Sequence, residues 1–386
     1  MKLKRSLFIL CFVSLIPSFS FSQIEGVYRI DDYMYLLEEN NVGLVVNHSS
    51  KIQNTHLIDT LVSSGVNVSC IFSPEHGFSG NFDPGEHFSD SLYNESIPIY
   101  SLYTNKHLKD VYIEDVDVII FDIQDVGVRF YTYISTLHYV MEGCAENDIK
   151  LIVLDRPNPH AHYVDGPVLD INYASFVGMH PVPIVYGMTI GEYALMINGE
   201  GWLKNNLKCD LKIIKNFEYS RSSIVPTLSY PSPNLLNMNA IFLYPSLCLF
   251  EGTSISVGRG TKTPFEIYGA PFLKTDFSFI PIPNFGSKNP KYNNEVCFGF
   301  DLRNKYDTVS FLNTHTIDIN YLITAFENTP LEQKPYFFNS FFNRLAGSPI
   351  LENQILDGLS EEEIRQSWES DIKDFLLIRD KYLIYN

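Results

Sequence analysis

Tryptophan is scarce in this chain, with two among 386 residues, and the six cysteines contain no C-x-x-C pair. Neither a zinc knuckle nor a thioredoxin-like redox site is therefore encoded. Basic residues are outnumbered, 28 against 45 acidic, and the formal charge of −17 excludes a protein that grips nucleic acid by displacing phosphate counterions. After the first 22 residues no apolar run approaches the roughly 18 residues of a membrane-spanning helix. There is no G-x-G-x-x-G after the first strand, no H-E-x-x-H and no G-x-S-x-G, so dinucleotide, zinc-protease and serine-hydrolase chemistry lose their usual signatures. His160 and His162 lie in PHAH without a third ligand at metal-site spacing, and GTSISVGRGTKT (252–263) lacks the Walker A lysine. No metal or nucleotide cofactor is expected.

What is present describes a packed globular protein. Hydrophobic residues make up 45%, aromatic 14% and charged 19%, and the length suits about two domains at the usual ~100–200 residues each. Lys2, Lys4 and Arg5 precede an apolar run over 7–16, and Ser20 and Ser22 flank Phe21. Residues 1–22 read as a secretory signal peptide, which implies a periplasmic or secreted protein with no stable membrane insertion once the leader is removed. The remaining cysteines, Cys70, Cys144, Cys209, Cys248 and Cys297, are odd in number. An odd count argues against a disulfide framework, while a single bridge stays open.

The first half alternates strand and helix signals. Continuous apolar runs at 42–46, 66–72, 116–121 and 151–154 predict four strands buried on both faces, as crossover helices bury a parallel sheet. Helix patterns lie between them: Leu57, Ile58, Leu61 and Val62 ending at Gly65, then Leu137, Val140, Met141 and Cys144. The expected fold is α/β, a Rossmann-like doubly wound parallel sheet over 23–170, with a second domain over 216–386. The boundary falls softly at 155–187, with room for the first domain to continue to about 215. Thr189 and Glu192 form a capping box that opens a helix to about Leu203, a strand follows at 211–214, and Ser360 with Glu363 opens a C-terminal helix with an apolar face of Phe375, Leu376, Ile378 and Leu383.

Polar loops follow each predicted strand: Asn47-His48-Ser49, Ser73-Pro74-Glu75-His76-Gly77, Asp122-Ile123-Gln124-Asp125 and Asp155-Arg156-Pro157-Asn158-Pro159. Ligands of open α/β sheets bind outside the carboxyl ends of the strands, so four such loops at one edge mark a candidate site. Asp122 and Asp155 equally suit the capping of following turns. From the second half come the proline-fixed Tyr230-Pro231-Ser232-Pro233-Asn234 and the glycine-rich segment carrying Glu251, Arg259 and Thr261.

The segments FSPEHGF (72–78), FDIQDVGVRFYTY (121–133), LDRPNP (154–159), DGPVLD (165–170), YPSPNL (230–235) and EGTSISVGRGT (251–261) together resemble the exo-β-N-acetylmuramidase family, from about Gly43 to Tyr385. The resemblance implies a secreted glycoside hydrolase that releases MurNAc from the non-reducing ends of peptidoglycan fragments such as MurNAc-GlcNAc. It also implies that the second domain, over 216–386, is a smaller α+β C-terminal domain across a cleft from the first. It does not name a catalytic pair.

Glycosidic cleavage commonly takes one carboxylic acid to protonate the leaving oxygen and a second carboxylate as nucleophile or base. Glu75 is the first choice for the acid, with Phe72 and Phe78 expected to desolvate it and raise its pKa. The second is sought among Asp122, Asp125, Asp155 and Glu251, with Asp122 and Glu251 ranked first, unless the substrate's own N-acetyl oxygen attacks. Arg129, Arg156 and Arg259 are candidates to clamp the lactyl carboxylate, because a guanidinium offers it two parallel charged hydrogen bonds. Phe130, Tyr131 and Tyr133 suit stacking on a sugar face. His76, Gln124, Asn158, Asn234 and Thr261 complete the expected substrate contacts. The rival from another class is a two-lobed periplasmic muropeptide- or sugar-binding protein that does no chemistry.

Overall fold

A computed structural model describes residues 24–386 apart from 84, 87–89, 103–107, 109–112, 114, 224 and 226–230. The signal-peptide reading and Tyr230 lie outside the described residues. The strands are β1 (Asn41–Val46), β2 (Lys51–Ile52), β3 (Thr55–His56), β4 (Asn67–Ser73), β5 (Ser91–Tyr93), β6 (Ile97–Ser101), β7 (Val118–Asp122), β8 (Lys150–Leu154) and β9 (Leu211–Ile214), then β10 (Ile267–Ala270), β11 (Phe277–Phe279) and β12 (Cys297–Asp301). Helices α1 (Leu57–Ser63), α2 (Tyr133–Glu146) and α3 (Ile190–Gly199) cross over the main sheet. Helices α4 (Met238–Leu247), α5 (Thr308–Leu312), α6 (Asn320–Glu327), α7 (Phe342–Ala346), α8 (Ile350–Leu356) and α9 (Glu361–Arg379) build the C-terminal part.

Seven strands form one sheet in the order β5-β6-β4-β1-β7-β8-β9. All neighbours are parallel except the edge pair β5 and β6. The four apolar runs are its centre, and β9 joins the same sheet, so the first unit continues past Asp170 to at least Ile214. The sheet therefore has more strands than the four read from apolar runs. β6 carries Pro98, which weakens any strand signal, and β5 is mostly exposed and short. A second, antiparallel sheet has the order β10-β12-β11.

Alternation along the central strands sends side chains to opposite faces. Val42, Leu44, Ile71, Ile120 and Ile152 pack under α1 in one apolar cluster. Val45, Phe72, Ile119, Phe121 and Val153 face the other way, and their cluster runs without a break through α2 and α3 to Tyr268, Leu322 and Trp368 in the C-terminal part. The two parts thus share apolar packing, and the carboxyl ends of β1, β4 and β7 face loops from both.

Capping decides several helix limits. Thr189 and Glu192 make the reciprocal cap of α3, which stops at Gly199 rather than near Leu203. Ser360 and Glu363 cap α9, which ends at Arg379, so Leu383 lies beyond the helix. Helix α4 contains Pro245, which is why no periodic signal announced it. Among the described residues no helix is long and apolar enough to cross a membrane, and all five cysteines are buried as free thiols.

Candidate active site

β4 delivers its chain into Pro74-Glu75-His76, where His76 adopts φ 71°. A histidine in the left-handed region is held there by its surroundings, here by Nδ1 against the Phe82 carbonyl at 2.8 Å. The carbonyl only accepts, so Nδ1 carries the proton. Burial pushes the His76 imidazole below its ordinary pKa, against the opposing pull of Glu75. Glu75 accepts from Thr132 Oγ1 at 2.6 Å through Oε2 and from the Gly85 amide at 3.1 Å through Oε1.

Across from this loop lie the turn Cys248–Gly252 that follows α4 and the glycine-rich loop after it. Glu251 accepts from Arg259 Nε at 2.9 Å. Burial pushes the Glu251 carboxyl up, but Arg259 and Lys291 outweigh it, so the group sits below the usual carboxylate range. Lys291 is spent on the Thr253 and Ile255 carbonyls at 2.6 and 2.9 Å. The Arg259 guanidinium lies 5.0 Å from the ring centre of Phe265, whose backbone is also left-handed at φ 59°, and its buried Nη1 has no hydrogen-bond partner.

Between the two sides is a cavity of about 340 Å³. Its polar wall is Glu75, His76, Thr132, Glu251 and Arg259; its apolar wall includes Phe130, Tyr131, Tyr244, Phe265 and Phe341. Tyr131 and Tyr133 stand edge to face with centroids 4.8 Å apart, and their hydroxyls donate to the Pro231 carbonyl at 2.6 and 3.2 Å. A more open groove of about 470 Å³ adjoins the cavity through Gly85, Glu251 and Arg259. Among the described residues no three His, Cys, Asp or Glu side chains are arranged to hold a metal ion.

Of the expected site residues, Glu75, His76, Phe130, Tyr131, Tyr133, Glu251 and Arg259 come together here, and the others have different work. Asp122, ranked beside Glu251 as second carboxylate, is fully buried and takes a two-pronged bond from Arg156 at 2.6 and 3.0 Å. Arg156 also holds Glu25 at 2.8 Å. Neither Asp122 nor Arg156 lines the cavity; together they tie the segment at Glu25 to the carboxyl ends of β7 and β8. Gly26 is needed at that junction, because a Cβ there would stand 2.3 Å from the Ile214 carbonyl oxygen.

Arg129 is a further correction. It is buried completely and donates to four carbonyls, those of Pro167, Val182, Leu345 and Ala346, at 2.7–2.9 Å. Burial pushes it down to about 9, and no carboxylate of a ligand can reach it. Gly347 is required beside it: φ is 90°, and a Cβ would lie 2.8 Å from Arg129 Nη2.

Gln124 bonds the Asp125 and Pro157 carbonyls; Asp125 accepts from the Tyr186 hydroxyl and the Gly127 amide. Asn158 donates to the Met188 carbonyl, Asn234 to that of Gly286, and Thr261 to that of Gly258. These residues shape loops behind the cavity. Phe72 and Phe78, expected to desolvate Glu75, do not line it either: Phe72 is in the core and Phe78 packs on His56 and Tyr93. Thr132, Tyr244, Phe265 and Lys291 were not anticipated. For Thr132 a signal existed, since it lies inside FDIQDVGVRFYTY one residue before a helix.

Asp155 is a structural clamp. It accepts from Thr189, Gly191, Arg156 and Tyr385 at 2.6–3.0 Å, yet burial dominates and pushes its carboxyl from 3.8 up to about 7. The folded state therefore binds this proton more tightly than the unfolded chain, so the stability it contributes is full below about pH 4 and is lost as pH rises through about 7. In urea unfolding across that range, the advantage of the wild type over Asp155→Asn should shrink toward pH 7 and level off above it. A constant or widening gap would contradict this.

A parallel α/β sheet whose carboxyl edge is closed by a second part thus holds two carboxylates and an arginine in one small cavity. Family models described as the N-terminal and C-terminal parts of exo-β-N-acetylmuramidase NamZ match residues 42–239 and 242–385. The peptidoglycan β-N-acetylmuramidase NamZ of Bacillus subtilis (strain 168) is 35% identical over 385 residues, covering 92% of this chain and 89% of that protein. Two crystal structures of DUF1343-family proteins from Bacteroides fragilis superpose with TM-scores of 0.85 and 0.80, at 41% and 26% identity. They cover 95% and 94% of this chain, and 99% of each of theirs. The chain belongs to the exo-β-N-acetylmuramidase NamZ family, a family of glycoside hydrolases.

Proposed function

We propose that this protein is an exo-acting β-N-acetylmuramidase that releases MurNAc from the non-reducing end of peptidoglycan fragments, with acid/base chemistry at Glu75. The observation that carries the reading is Arg259. It alone of the three candidate arginines lines the cavity, and its buried Nη1 lacks a partner. MurNAc carries a lactyl carboxylate that GlcNAc lacks, and a guanidinium is the best-matched side chain for it. The cavity, about 340 Å³, lies at the small end of ligand pockets, which run from ~300 to 1,000 Å³, and suits a terminal sugar.

Glu75 stands at a strand's carboxyl end where it can give a proton to the glycosidic oxygen and later take one from water. Of the four candidates for the second carboxylate, Glu251 is the one in the cavity wall. Arg259 and Lys291 keep it ionised, as a nucleophile, a base or a group orienting the substrate amide requires.

Incubation of the purified protein with MurNAc-GlcNAc in the presence of EDTA should release MurNAc. Binding of the disaccharide without any release over a long time course would instead favour the binding-protein reading. Arg259→Ala should lower kcat/KM about 10- to 100-fold for a lactyl-bearing substrate, the span expected for one charged hydrogen-bonding pair, and much less for a GlcNAc analogue. Equal losses on both would remove the carboxylate clamp from the mechanism.

A further inference from the structure

We propose that Thr132 is a positioning residue for Glu75, its hydroxyl serving as a hydrogen-bond partner that works in both protonation states of that carboxyl group. This rests on the reading of Glu75 as the acid/base group.

Thr132 occupies the N-cap of α2, a position where a threonine ordinarily turns its hydroxyl back to a free amide of the first turn. Here no such side-chain cap forms. The hydroxyl instead donates to Glu75 Oε2 at 2.6 Å, and of the first-turn amides that of Ser135 bonds the Thr132 carbonyl at 3.0 Å, beside the regular helix bond from Thr136. The Thr132 backbone is itself helical, at φ −70° and ψ −6°, so its hydroxyl is free for this contact in the cavity wall, which both residues line.

The chemistry of the two donors to Glu75 differs. The Gly85 amide on Oε1 can only donate, so it suits the ionised carboxylate. A hydroxyl both donates and accepts: it can donate to the carboxylate and, after rotation about its C–O bond, accept from the protonated acid. An acid that gives up its proton in one step and regains it in the next keeps its orientation only if a partner of this second kind stays with it. The ionisable neighbours, His76 beside it and Tyr133 on α2, both respond to the charge of Glu75, but His76 Nδ1 is committed to Phe82 and the Tyr133 hydroxyl to Pro231 and Asn47. Arg259 is engaged with Glu251.

The test compares Thr132→Val, which keeps the shape and removes the hydroxyl, with Thr132→Ser, which keeps the hydroxyl, and uses Glu75→Gln as reference. Thr132→Val should lose about 10- to 100-fold in kcat, with KM changed less than about twofold, because orientation of a reacting group is what fails. Thr132→Ser should restore kcat to within about threefold with KM again unchanged. Should the valine variant not fold by circular dichroism, Thr132→Ala is measured the same way. A folded hydroxyl-free variant with unchanged kcat, or a serine variant that does not rescue it, overturns the proposal while an inactive Glu75→Gln leaves the acid/base reading standing. An active Glu75→Gln overturns both.

Discussion

Glu75→Gln should abolish turnover of MurNAc-GlcNAc while leaving the disaccharide bound. Gln is nearly isosteric: its oxygen can accept from the Gly85 amide while its NH2 group donates to the Thr132 hydroxyl, in place of the two donors that hold Glu75, so the cavity keeps its shape. It has no proton of suitable acidity to give, and general acid–base catalysis is worth ~10²–10⁴-fold in rate. The expected outcome is a fall in kcat of at least about 10²-fold, with the dissociation constant of the disaccharide within a few-fold of wild type. Single-turnover kinetics and calorimetric titration of the same preparation separate the two quantities. Retention of near wild-type kcat would remove Glu75 from the mechanism.

Arg129→Ala should produce the largest loss of stability of any substitution considered. The guanidinium joins the Pro167 and Val182 carbonyls to those of Leu345 and Ala346 at the end of α7, segments more than 160 residues apart in the chain. Truncation leaves four buried carbonyls to find other partners, at ~1–3 kcal/mol for each one that fails. Partial relaxation and water entry recover some of this, so a loss above about 3 kcal/mol is expected, read as a lower midpoint in urea. Whatever folded enzyme remains should be equally impaired on lactyl-bearing and GlcNAc substrates, which separates this role from the selective effect of Arg259→Ala. A stable Arg129→Ala variant with weakened lactyl recognition would reverse the assignment.

The charged groups divide between the cavity and the scaffold. Arg156, Asp122 and Glu25 form a buried cluster that has no access to substrate, and breaking one member would strand the others' charge. Arg259 and Glu251 are paired as well, but both line the cavity, and the buried Nη1 of Arg259 has no partner.

The sequence alone determined the central sheet and the edge where the site lies. Burial on both faces demands unbroken apolar runs at β1, β4, β7 and β8, and the polar residues directly after them, Glu75 among them, must emerge at the carboxyl edge. It also determined the capped starts of α3 and α9, since both capping boxes act within four residues. Which of three arginines lines the cavity was decided only by the tertiary structure. Arg129, Arg156 and Arg259 all stand in polar or turn-rich segments, and what distinguishes them is who arrives opposite. For Arg129 that is a carbonyl 217 residues away, for Arg156 a glutamate 131 residues away, and for Arg259 a glutamate only eight residues away, which leaves Nη1 unclaimed. Hydrogen bonding is short-ranged and directional, so a side chain's role follows from the few atoms within about 3 Å of it, and those atoms are assembled by the fold.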